Sequence, residues 1–129
     1  MDPSPSVETT ADNLAFDPLE LERLVTPLLR GSVEIVLADP GYMRVLNRRF
    51  RRIDRPADVL TFDLSEGGDR PEGVVYVDAR LYPPIEEIVE RVFHGYLHLT
   101  GWSHDTPEDD ARMRAEVGRM TGLAMKARG

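Results

Sequence analysis

Ile85-Glu86-Glu87-Ile88-Val89-Glu90-Arg91-Val92-Phe93-His94-Gly95-Tyr96-Leu97-His98-Leu99-Thr100-Gly101-Trp102-Ser103-His104 holds the strongest structural pattern in this chain. Ile85, Ile88, Val89, Val92, Phe93, Tyr96 and Leu97 recur at helical spacing and cover most of the helix surface. A helix apolar over most of its circumference belongs in the centre of a domain, with other elements packed around it. Gly101 suits the end of that helix, where a left-handed residue turns the chain back.

All three histidines of the chain lie in this stretch. His94 and His98 are four residues apart, so their rings leave the helix from one face. The turn at Gly101 could bring His104 to the same point. Three neutral imidazoles with one open position describe a catalytic zinc site better than a closed structural one. Histidines on an apolar helix can instead be packed core residues or a pH-sensitive patch. Here the glycine and the helical context agree with the ligand spacing, which favours a metal and, with it, hydrolytic chemistry.

Working outward, residues 1–16 lack periodicity and read as a mobile lead-in to one domain spanning 17–129. Asp17-Pro18-Leu19-Glu20 is a helix start, with Asp17 as cap and Pro18 at the first helical position. That helix is expected to run through Arg30, bent near Pro27 and closed by Gly31, with Leu21, Leu24, Val25 and Leu28 inward. Val33, Ile35 and Leu37 alternate as in a half-buried strand. Asp39-Pro40 opens a second helix, with Met43, Leu46 and Phe50 on its inner side. Residues 58–64 and 74–78 read as strands joined by a polar turn at 65–71. Thr106-Pro107-Glu108-Asp109 starts a last helix with Met113, Val117 and Met120 inward and Gly122 at its end. The expected architecture is α+β: a small mixed β-sheet packed with about four helices, the histidine-bearing helix central.

Cysteine is absent, which removes disulfides, thiolate ligands and a cysteine nucleophile and fits a reducing cytoplasm. The polar N-terminus carries no signal-peptide pattern and no apolar run reaches bilayer length. A cytoplasmic protein without a membrane partner is expected. The net charge of −7 argues against nucleic acid, but six of the sixteen basic residues fall between 44 and 55. They are Arg44, Arg48, Arg49, Arg51, Arg52 and Arg55, opposed there only by Asp54. A guanidinium cluster is often just a solvated helix face; beside a metal site it becomes a candidate for gripping a phosphate backbone.

The histidine spacing is also that of the metzincin proteases, H-E-x-x-H-x-x-G-x-x-H. Their glutamate is the general base, and that position here is Gly95. Proteolysis therefore ranks low.

His94-Gly95-Tyr96-Leu97-His98-Leu99-Thr100-Gly101-Trp102-Ser103-His104 resembles instead the H-G-x-L-H-L-x-G-Y-D-H signature of the YbeY endoribonucleases, bacterial rRNA maturation factors. Residues 46–62, LNRRFRRIDRPADVLTF, are similar to that family's L-N-x-x-Y-R-x-x-D-x-P-T-D-V-L-S-F. Trp102 replaces tyrosine, Ser103 an aspartate for which Asp105 is a neighbouring substitute, and Ala57 a threonine. Gly73 lacks its following aspartate, and the segment 79–84 is short. The resemblance implies one zinc ion (Zn2+) on His94, His98 and His104, with His98 and Arg51 catalytic. The arginine cluster, set beside that metal site, makes Arg48, Arg49, Arg51, Arg52 and Arg55 the expected phosphate contacts. The resemblance implies a single-strand endoribonuclease acting on rRNA and the ribosome, rather than on DNA, in 16S 3′-end processing and ribosome quality control. The alternatives are a ribosome-associated binding factor with a structural metal, and a metal hydrolase of another phosphate or peptide substrate.

Overall fold

A computed structural model describes residues 4–12, 14–65, 70–79 and 84–128. Four strands, β1 (Ser6–Thr9), β2 (Ser32–Ala38), β3 (Val59–Asp63) and β4 (Glu72–Asp78), form one sheet in the order β1-β2-β4-β3. β1 and β4 flank β2 in parallel, while β3 runs antiparallel to β4 and forms an open edge. The helices are α1 (Pro18–Val25), α2 (Pro40–Arg51), α3 (Ile85–Leu99) and α4 (Pro107–Arg128). The fold is the expected α+β class with a mixed sheet.

The alternation along the strands sorts the helices to two faces. Val33, Ile35, Leu37, Val75 and Val77 pack with Leu21, Val25, Ile88, Val92, Phe93, Met113 and Met120, so α1, α3 and α4 cover one face. Ala38 and Leu60, with Phe62 and Tyr76, meet Met43 and Leu46 of α2 on the other. The histidine-bearing α3 is central: nine of its residues are buried between the sheet and α4. No helix among the described residues is long and apolar enough to cross a membrane.

Four local expectations need correction. Ser6–Thr9, read as lead-in, adds β1 to the edge of β2; four residues are too few to show a period. The first helix stops at Val25 and tightens into a 3-10 turn at Thr26–Leu28, because Pro27 has no N–H for the next helical bond. Phe50 is not on the inner side of α2. It is 57% exposed, while Asn47 is buried and donates from Nδ2 to the Arg55 carbonyl at 2.9 Å. Gly122 does not end α4, which continues for six further residues with Ala124 buried. The turn at 66–69 and the link at 80–83 lie outside the described residues.

Candidate metal centre and active site

His94 and His98 project from one face of α3 as the spacing requires. Behind them the helix closes in a Schellman turn: the Trp102 amide donates to the Leu97 carbonyl at 2.9 Å and the Gly101 amide to the His98 carbonyl at 3.1 Å. Gly101 supplies the positive φ of 100° that this turn needs. The reversal carries His104 back to the first two rings. One ring nitrogen from each of the three lies within 4.8 Å of the others.

The donor set fits a tetrahedral cation. Nε2 of His98 and Nε2 of His94 are 3.2 Å apart; two ligands at about 2.05 Å from one tetrahedral ion sit roughly 3.3 Å apart. The Trp102 carbonyl accepts a hydrogen bond from Nδ1 of His98 at 3.2 Å. A carbonyl can only accept, so Nδ1 carries the proton and the Nε2 lone pair faces the other rings. Burial, then repulsion from His98 and His104, holds His94 below the ordinary imidazole value. Burial and His104 do the same to His98, with the Arg51 guanidinium adding to the effect. Both rings are thus kept in the neutral form a metal requires.

Arg51, Val59, Leu60, Thr61, Asp63 and the three histidines line a cleft of about 370 Å3. Its long wall is the open edge of β3. The Asp78 amide donates to the Asp58 carbonyl and the Leu64 amide to that of Glu72, so residues of even number in β3 pair with β4. The N–H and C=O groups of Val59, Thr61 and Asp63 therefore point out from the sheet into the cleft. The Thr61 carbonyl accepts from Nη2 of Arg51 at 3.3 Å. That bond steers the guanidinium from α2 on the far face around the edge strand to the histidines.

Gly95 explains why no glutamate follows the first histidine. A Cβ there would collide with Cγ1 of Val75 and come within 2.8 Å of Cγ1 of Val59 and 3.1 Å of Oγ1 of Thr61. The helix is pressed against β3 and β4 at this residue, and Thr61 Oγ1 donates to the Gly95 carbonyl at 3.2 Å. Ser103 donates to Asp109 at 3.4 Å, so the backbone carbonyl of Trp102, not a carboxylate, holds the outer nitrogen of His98.

Of the expected arginines, only Arg51 lines the histidine cleft. Arg44 is committed to Asp54 through two bonds of 2.8 and 3.1 Å. Arg48 faces the same carboxylate, and Arg49 lies 5.8 Å from the Phe50 ring centre. Arg52 takes the left-handed cap of α2 at φ 59°, and Arg55 is held through its carbonyl by Asn47. Arg48, Arg49, Arg52 and Arg55 are all exposed and do not line the cleft. Sequence reasoning missed the β3 edge, Thr61 and Asp63; the aspartate that follows an alternating strand was the available signal.

A family model described as Endoribonuclease YbeY matches residues 7–122. The chain belongs to the YbeY endoribonuclease family. Endoribonuclease YbeY of Symbiobacterium thermophilum is 37% identical over 113 residues, covering 73% of this chain and 72% of that protein. The Rubrobacter xylanophilus protein of the same description is 35% identical over 110 residues, covering 84% and 78%. The solution structure of TM1509 from Thermotoga maritima superposes with a TM-score of 0.60 at 27% identity, covering 95% of this chain and 90% of that one. The family is one of nucleases that hydrolyse RNA, and the histidine cluster that could hold a metal lies within the matched YbeY region.

Proposed function

We propose that this chain is a zinc-dependent, single-strand endoribonuclease acting in rRNA maturation, 16S 3′-end processing and ribosome quality control in the cytoplasm. The observation that carries the reading is the convergence of three imidazoles in a cleft walled by Arg51, with glycine where a protease would keep its base. His94, His98 and His104 would hold the ion. Zinc bound there supplies Lewis acidity toward a scissile phosphate and its nucleophile.

The remaining work falls to the chain's own groups. Arg51, tied to the Thr61 carbonyl, keeps its other guanidinium donors for a phosphate oxygen as negative charge develops. The outward amides of Thr61 and Asp63 line the same wall and add neutral donors. Arg48, Arg49, Arg52 and Arg55 hold the RNA backbone as it arrives. His98 is a ligand oriented by the Trp102 carbonyl, so its catalytic part is through the ion.

The test is metal analysis followed by cleavage of single-stranded RNA by the wild type, His98→Ala and Arg51→Ala. His98→Ala should lose metal and activity together. Arg51→Ala should keep its metal and lose about 100-fold or more in kcat. Equal cleavage by all three would reject these roles.

A further inference from the structure

The histidine cleft has a neighbour, a groove of about 690 Å3 that shares His94 and Val59 with it. One wall is a stripe of α3: Glu87, Glu90, Arg91 and His94, at successive helical turns. The other is α4, with Arg114, Val117 and Gly118. The volume falls in the roughly 300–1,000 Å3 range of small-ligand sites. The shared residues make the groove continuous with the histidine cleft at His94 and Val59.

The two compartments differ in charge. Arg51 and the ion site attract a phosphate. The groove instead presents Asp58, Glu87 and Glu90 against Arg91 and Arg114. Arg114 is already paired with Asp110 at 2.6 Å, and Arg91 lies 3.9 Å from Asp58 and bonds to the Asp78 carbonyl. Among the described residues neither Glu87 nor Glu90 has a side-chain hydrogen-bond or ion-pair partner. A phosphate would meet this carboxylate excess unfavourably. A group offering N–H donors would not. Val59 and Val117 give the groove an apolar floor, and Arg114 a planar cation for stacking.

We propose that the groove between α3 and α4 is the subsite for one RNA base beside the scissile phosphate, and that its carboxylates select guanine. This rests on the ribonuclease reading of the histidine cleft. Guanine alone among the four bases presents two adjacent donors, N1–H and the 2-amino group, that one carboxylate can accept together.

Gly118 makes the groove testable. A Cβ there meets nothing within 4 Å, and leucine is a better helix former than glycine. Gly118→Leu should therefore fold normally while filling the groove. The 129-residue chain, labelled with 15N, is titrated with guanosine monophosphate and with inosine monophosphate, which lacks the 2-amino group. Guanosine monophosphate should shift the amides of Glu90, Arg91, Val117 and Gly118. Inosine monophosphate should bind about tenfold more weakly, and Gly118→Leu should abolish the shifts. Equal response to both nucleotides, no response, or shifts confined to Arg51 and the histidines would overturn the proposal. In parallel, an oligoribonucleotide with one guanosine changed to inosine should lose about tenfold in kcat/KM with wild type. It should lose nothing further with Glu87→Gln/Glu90→Gln. A chain that binds the guanine nucleotide in the groove but cuts no RNA refutes the ribonuclease reading alone. Unchanged cleavage and binding in Gly118→Leu refute the subsite alone.

Discussion

Replacing Gly95 by alanine tests whether packing, rather than helix preference, dictates the residue beside the first histidine. In an unconstrained helix, Gly→Ala stabilises by about 1 kcal/mol. Here the added methyl overlaps Cγ1 of Val75 and crowds Val59 and Thr61. Val75 is completely buried, and valine has stiff χ1 preferences, so neither side can yield cheaply. Overpacking of this kind costs about 1–3 kcal/mol. The overlap is severe enough to place Gly95→Ala at the upper part of that range, and the net change should be a loss of about 1–2 kcal/mol. Urea unfolding in a chelator, which removes any contribution from bound metal, gives the number. A double-mutant cycle with Val75→Ala isolates the contact. Alone, Val75→Ala leaves a cavity; combined with Gly95→Ala it leaves room for the new methyl. The pair should be more stable than the sum of the singles by about 1–2 kcal/mol. A Gly95→Ala protein as stable as wild type, or a cycle additive to within about 0.3 kcal/mol, would refute the close approach of α3 to the sheet.

Gly101→Ala should cost about 1–2 kcal/mol, because alanine resists the left-handed turn at φ 100°. It should also weaken metal binding by displacing His104, and an unchanged urea midpoint would contradict this. Gly122→Ala should do the opposite, raising stability by about 0.5–1 kcal/mol, since its Cβ meets open space within a continuing helix; a loss would show that α4 does not persist there. His94 and His98 titrate below the ordinary imidazole value. The unfolded chain thus binds more protons than the folded one as pH falls from about 6.5. The metal-free fold is fully stable against this effect above that pH and loses stability as pH drops through the folded values. Metal affinity, read by chelator competition, should be level from about pH 8 to pH 7 and fall steeply at lower pH. Affinity independent of pH down to about pH 5 would remove the imidazoles as ligands.

The centre of the fold was legible because α3 is apolar on nearly every side, and a helix of that kind has few places to go. Its histidines were legible because i, i+4 spacing and a left-handed glycine are local geometry. What escaped was set by partners distant in the chain. Phe50 follows the helical period of Met43 and Leu46, but in the last turn of α2 it stays exposed and meets Phe62 edge-on at 5.3 Å. Asn47 is turned in because the loop ending at Arg55 needs a donor. β1 is four residues long and gains its place from β2 rather than from its own pattern. Gly122 carried a stop signal that counts only where φ becomes positive, and in α4 it does not. The convergence of Arg51 on the histidines was legible through the family resemblance alone, for the same reason. It depends on an outward carbonyl of an edge strand, fixed by the register of β3 on β4.

The same register bears on the chemistry. Gly95 lies over Val75, Val59 and Thr61, so the first carbon of any side chain there would enter the interface between α3 and the sheet. A glutamate at this position would have to bury its charge or push the helix away, and charge burial without a partner is strongly unfavourable. The close packing that holds the first two imidazoles rigid therefore also excludes a protein base at the residue between them. In the proposed ribonuclease reading, activation of a nucleophile falls to the ion or to the substrate, and stabilisation of charge to Arg51 and the outward amides of β3. RNA suits such a site better than a peptide does, because a phosphodiester brings an anion for Arg51 to hold, whereas a peptide carbonyl is neutral until it is attacked.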